Sequence, residues 1–153
     1  MQLKKINIPK NEYINLIIRV TVGLIFITFA AGKIAEPAPF AKSIANYDML
    51  PYKLVNLLAI ILPWIEIIAG LFLFFGVKLK ANILLIASML VVFNIAVATA
   101  WARGLDIECG CYADIAKQKV GLQKLIENFL MLIALLFLYF FPNNKFAFEN
   151  SNE

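Results

Sequence analysis

The stretch "KLVNLLAIILPWIEIIAGLFLFF", residues 53–75, decides the fold. Between its first residue and its last it holds one charge, Glu66, in a run of aliphatic and aromatic side chains interrupted by Asn56 and Pro63. A helix needs about 20 mostly apolar residues to cross a hydrocarbon layer of roughly 30 Å. Three further stretches pass the same test, at residues 13–31, 81–102 and 122–141. Each must satisfy its backbone hydrogen bonds internally, which in lipid means a helix. The chain therefore reads as all-α, an integral membrane bundle of four transmembrane helices, with residues 1–153 forming a single membrane domain.

Composition supports this class. The chain is 62% hydrophobic and 16% charged, with a mean hydropathy of +0.81, outside the range of ordinary soluble domains. The formal net charge of +4 does not point to nucleic acid. Basic residues sit singly at span ends, where they anchor at headgroups, and form no patch interleaved with aromatics. The lipid bilayer is the expected partner, and nucleic acid is not. Histidine is absent, which excludes His-based acid–base catalysis, His haem ligation and His-containing zinc sites. Lys4, Lys5 and Lys10 before an apolar run ending "TFAAG" imitate a signal peptide. The run is too long for one and carries Arg19, so it reads as a retained first span.

Four spans put both ends of the chain on one side. Lys4, Lys5 and Lys10, with Lys78 and Lys80 of the short turn "GVKLK", mark that side as cytoplasmic by the positive-inside rule. The loops after the first and third spans are then extracytoplasmic. In the first of them Phe40, Ile44 and Tyr47 recur at i, i+4 and i+7 after Pro39, which predicts a short interfacial helix. Pro63 predicts a kink in the second span. Gly23, Ala30, Ala31, Gly70, Ala96 and Ala98 would let helices approach closely.

Ionisable groups within spans face the protein interior and are functional suspects. Counted from the span ends, Arg19 and Glu66 fall at similar depths, which predicts an Arg19–Glu66 pair. Asn94 and Glu127, with Asn128, fall together in the outer half and form a polar layer. That layer could relay a proton, bind a quinone carbonyl or simply join helices.

Both cysteines lie in "RGLDIECGCYAD", residues 103–114. On a helix, Cys109 and Cys111 would point about 200° apart and could not be bridged. In extended or turned backbone their side chains return to one side, and Gly110 opens tight conformations. The pair is therefore feasible where 107–112 is non-helical, with the third span ending near Arg103-Gly104. So small a loop adds little as a staple, and any strain makes the bond easier to reduce. Arg103 and Lys33 near the same boundary favour thiolate, while Asp106, Glu108 and Asp114 oppose it. Three readings stay open: a redox-active pair, inert cysteines, or a soft-metal site such as Cu(I). Two thiolates without histidine cannot complete a zinc or iron–sulfur site, so no centre of either kind is expected.

Four segments in order resemble one family. "RVTVGLIFITFAAGKI" is similar to the opening pattern of DoxX-like membrane proteins, and "FAKSIANYDMLP" with "LPWIEIIAGLFLFFG" resembles its continuation in the MauE branch. "RGLDIECGCYAD" resembles that branch's Cys-Gly-Cys signature, with Tyr112-Ala113 where Phe-Gly is usual. The resemblance covers residues 13–141 and marks Arg19, Gly32, Lys33, Pro63, Glu66, Arg103, Cys109, Gly110 and Cys111. It implies a small bacterial inner-membrane protein of thiol redox chemistry, associated in that branch with maturation of a disulfide-rich methylamine dehydrogenase subunit. A thioredoxin-like partner is implied there, and quinone-linked sulfur oxidation in other relatives.

Together these readings predict a membrane thiol–disulfide oxidoreductase component. Cys109 and Cys111 would exchange electrons with a thioredoxin-like periplasmic protein or disulfide-containing client, with a quinone as the membrane electron partner. The alternatives are a non-enzymatic membrane scaffold for a maturation complex, or a Cu(I)-binding protein.

Overall fold

The computed structural model describes residues 12–107 and 121–141. Within them the chain forms five helices: α1 (Glu12–Ala35), α2 (Pro37–Asn46), α3 (Tyr52–Phe75), α4 (Leu79–Ala102) and α5 (Leu122–Phe140). All but α2 are long and apolar enough to cross a membrane. The protein is a multi-pass membrane protein built as a four-span helical bundle.

The distribution of apolar residues explains how the bundle sits in lipid. On α3, Leu57, Ile60, Ile61, Trp64, Ile68 and Leu71 are exposed at helical spacing. The opposite stripe of Val55, Ala59, Pro63, Ala69, Gly70 and Leu73 is buried. The small residues Ala59, Ala69 and Gly70 thus face protein beside Val55 and Leu73, while many of the large ones face hydrocarbon, the arrangement expected where the solvent is as apolar as the core. α3 continues as one helix past Pro63. Neighbouring elements in a bundle can compensate for the missing backbone N–H.

Glycines end two of the spans. Gly76 has φ 74°, and behind it the Val77 N–H donates to the Phe72 carbonyl at 2.9 Å. Gly104 has φ 69°, and the Leu105 N–H donates to the Ala100 carbonyl at 3.1 Å. Both close a helix C-terminus in the left-handed region, which glycine occupies without steric cost. The link between α3 and α4 is only Gly76, Val77 and Lys78, with Lys78 itself at φ 42°, so α4 must run back antiparallel. The end of the third span at Arg103-Gly104 was legible from the sequence.

Packing follows from close approach. α1 lies mainly on α3, and α4 mainly on α5. Gly23 and Gly70 face each other: a Cβ on Gly23 would stand 3.0 Å from the Gly70 carbonyl oxygen. Asn82 of α4 is buried and donates to the Ala69 carbonyl of α3 at 2.8 Å, tying the two pairs together. Around these contacts Val22, Phe26, Leu73, Ile83, Ile86 and Leu135 form the core.

The short helix of the first loop is α2. Pro37 stands in its first turn, where a missing N–H costs nothing. Phe40 and Tyr47, two of the residues whose spacing predicts the helix, are buried against the bundle. α2 therefore covers the end of the bundle formed by the C-termini of α1 and α4 and the N-termini of α3 and α5.

Candidate functional site

Beneath α2 the helices part to leave a cavity of ≈ 820 Å³, walled by residues from all five helices. Its size falls within the range typical of small-molecule sites. The wall is mostly apolar, and Phe26, Phe29, Phe40, Tyr47 and Phe93 give it an aromatic character. Against this background a few polar side chains converge: Lys33, Glu66, Lys124, Glu127 and Asn128.

Lys33 stands in the last turn of α1. Its ammonium donates to both carboxylate oxygens of Glu66 at 2.8 Å, across the α1–α3 interface. The side chains are only 8% and 13% exposed. The same ammonium lies 4.8 Å from the centre of the Phe40 ring. One cation therefore joins α1, α3 and α2, by an ion pair on one side and a cation–π contact on the other.

The partner of Glu66 is thus Lys33, not Arg19 as depth counting predicts. The reason is register. Gly23 meets Gly70 in an antiparallel pair. Arg19 and Glu66 each lie four residues from that meeting point, on opposite sides, roughly 12 Å apart along the axis. Lys33 is further from the contact in sequence, but its long stem runs back to the carboxylate. Arg19 is buried on α1, away from the cavity's end of the bundle.

α5 supplies the second pair. Lys124 donates to Glu127 at 3.1 Å, one helical turn on, and its side chain is only 4% exposed. Gln123 also donates to Glu127, at 3.3 Å. Asn128, 5% exposed, has a side-chain nitrogen with no hydrogen-bond partner among the described residues. Asn94 is half-buried on α4, and its side-chain oxygen likewise has no hydrogen-bond partner there. Sequence reasoning places Glu127 and Asn128 in a polar layer and reads Lys124 only as a charge just inside the last span. The i, i+3 spacing of Lys124 and Glu127 was the available signal.

Arg103 follows α4 and reaches back over α2. Its guanidinium donates to the Tyr47 carbonyl at 3.0 Å and stands 3.7 Å from the Asp48 carboxylate. Beyond it, Leu105 and Ile107 pack on a small cluster of Tyr47, Val97 and Ala100. Tyr47 is therefore shared: it belongs to the cavity wall and to the seat of the segment that leads to the cysteines. Cys109, Gly110 and Cys111 themselves lie outside the described residues.

Chemically, the site offers an apolar chamber in which, among the described residues, the cations Lys33 and Lys124 are each matched by a carboxylate. Its Asn128 amide adds an uncharged hydrogen-bonding group.

A family model described as Methylamine utilisation protein MauE matches residues 11–141. The Methylamine utilization protein MauE of Methylorubrum extorquens is 32% identical over 105 residues, covering 68% of this chain and 56% of that protein. Its counterpart in Paracoccus denitrificans is 29% identical over 119 residues, covering 77% and 63%. That of Methylophilus methylotrophus is 31% identical over 91 residues, covering 59% and 48%. The matched part of the chain thus spans about half to just under two thirds of the length of these curated relatives. No solved structure matches the chain.

Proposed function

The chain belongs to the MauE family, and from that premise we propose that it is the membrane component of extracytoplasmic thiol–disulfide chemistry in methylamine utilisation. Cys109 and Cys111 form the exchanging pair, with one thiolate attacking a disulfide and the other resolving the mixed disulfide. The protein partner is a thioredoxin-like periplasmic protein or a disulfide-containing client. The membrane partner is a quinone. Closing a dithiol to a disulfide releases two electrons and two protons, and reducing a quinone to a quinol consumes the same. The two couples therefore balance in either direction with no further reactant.

The observation that carries this reading is the position of Tyr47. The chain leaves the described residues at Ile107, two residues before Cys109, and Ile107 packs on the cluster that holds Tyr47. Tyr47 is also cavity wall. A membrane-soluble electron partner in the cavity and a thiol pair after Ile107 would meet at this one end of the bundle. The names of the relatives support the pathway, and the Cys-Gly-Cys spacing supports the chemistry.

The test is a redox titration of the full chain in detergent, read by mass-tagged alkylation. The expected result is a two-thiol mass shift that disappears and returns across a single two-electron midpoint. Thiols that stay reduced, or a bond that never opens, across potentials from strongly reducing to strongly oxidising would sink the proposal.

A further inference from the structure

We propose that the cavity beneath α2 is a binding site for an uncharged, lipid-soluble molecule that presents a carbonyl oxygen to Asn128 and enters sideways from the bilayer. Three observations carry this. The first is charge. Lys33 is matched by Glu66 at 2.8 Å and Lys124 by Glu127 at 3.1 Å, so among the described residues the wall offers no uncompensated cation to a phosphate or carboxylate. In a poorly solvated chamber an anionic head would have to compete with those carboxylates and shed its water, a cost of several kcal/mol per ion. A neutral head avoids it.

The second is the Asn128 amide. The residue is 5% exposed, it lines the cavity, and its side-chain nitrogen has no hydrogen-bond partner among the described residues. A buried donor left unmade is costly, and a ligand acceptor is one way to satisfy it. With aromatic rings around the chamber, a carbonyl on a flat or apolar body is the complementary chemistry.

The third is access. Val92, Ile95 and Leu130 line the cavity and are also 68%, 56% and 60% exposed on spanning helices. The chamber therefore reaches the face of the bundle that meets hydrocarbon, and a tail can remain in lipid while the head lies inside.

Two sources share this chemistry: the ring of a quinone and the ester of a neutral acyl lipid. The electron role of a quinone here rests on the function proposed above, whereas binding does not. The experiment is native mass spectrometry of the full chain in detergent with Cys109→Ser and Cys111→Ser in place. The serines prevent thiol addition to a quinone and separate binding from exchange. The probes are a short-chain ubiquinone, a diacylglycerol and the anionic phosphatidylglycerol.

One-to-one binding of the ubiquinone or the diacylglycerol is expected. Asn128→Leu should weaken it roughly fivefold. Leu130→Trp, at a lipid-facing position that tolerates bulk, should weaken it at least about tenfold by narrowing the entrance. Ubiquinone binding here, with no thiol conversion in the unmodified chain, supports the site and removes the exchange function. Diacylglycerol binding alone supports the site and places the electron partner elsewhere. Tightest binding of phosphatidylglycerol, or binding indifferent to both substitutions, overturns the proposal.

Discussion

At the scale of single residues, the Lys33–Glu66 pair ties α1 to α3. Its two side chains are nearly buried, so removing one leaves the other as an unmatched charge in a medium that solvates it poorly. Lys33→Met alone and Glu66→Gln alone should each cost about 3 kcal/mol of stability. The double substitution should cost less than the two together, with a coupling of at least about 1 kcal/mol. Unfolding of the four proteins in one detergent gives the comparison, and simple additivity would show that the pair is not coupled. That Lys33 and Glu66 carry weight was legible in the sequence, but their pairing was not. Lys33 reads as an interfacial anchor, and a side chain that folds back down its own helix leaves no sequence signal. Depths counted from span ends also miss the offset that helix packing imposes, which is why Arg19 was matched to the wrong partner.

At the scale of elements, the register of α1 on α3 is set by Gly23 and Gly70. A Cβ on Gly70 would stand 3.0 Å from the Gly23 carbonyl oxygen and 3.0 Å from a side-chain carbon of Ile27. Gly70→Leu has nowhere to place its branches without parting the helices. It should lower stability by about 3 kcal/mol, in the range of overpacked interiors, and loosen the Lys33–Glu66 contact with it. Thermal unfolding of the purified variant checks this, and an unchanged melting temperature would contradict the packing. The spans were legible because long apolar runs have one solution in lipid. The α2 helix was legible from Phe40, Ile44 and Tyr47, since their spacing matches a helical face. The cavity was not, because it arises from gaps between five helices, and no single segment records them. Of the site read from sequence, Cys109, Gly110 and Cys111 lie outside the described residues.

At the scale of the whole molecule, the α2 end carries the cavity, the Arg103 tie to Tyr47 and the root of the cysteine segment. If thiol exchange is extracytoplasmic, this end faces outward. The chain holds only two cysteines, so labelling is free of background from other thiols. In intact cells, after mild reduction, a membrane-impermeant maleimide should modify Cys109 and Cys111. Labelling that requires disruption of the membrane would reverse the orientation and remove any extracytoplasmic role.

The exposed rim of Val92, Ile95 and Leu130 has a consequence for how occupancy of the chamber is controlled. A guest arriving through that rim is supplied by the membrane, so its effective abundance is a mole fraction among lipids, not a concentration in water. Adding lipid to a vesicle would thin the guest out and empty the chamber, while adding buffer would change almost nothing. The protein would in that sense sample the make-up of the bilayer around it.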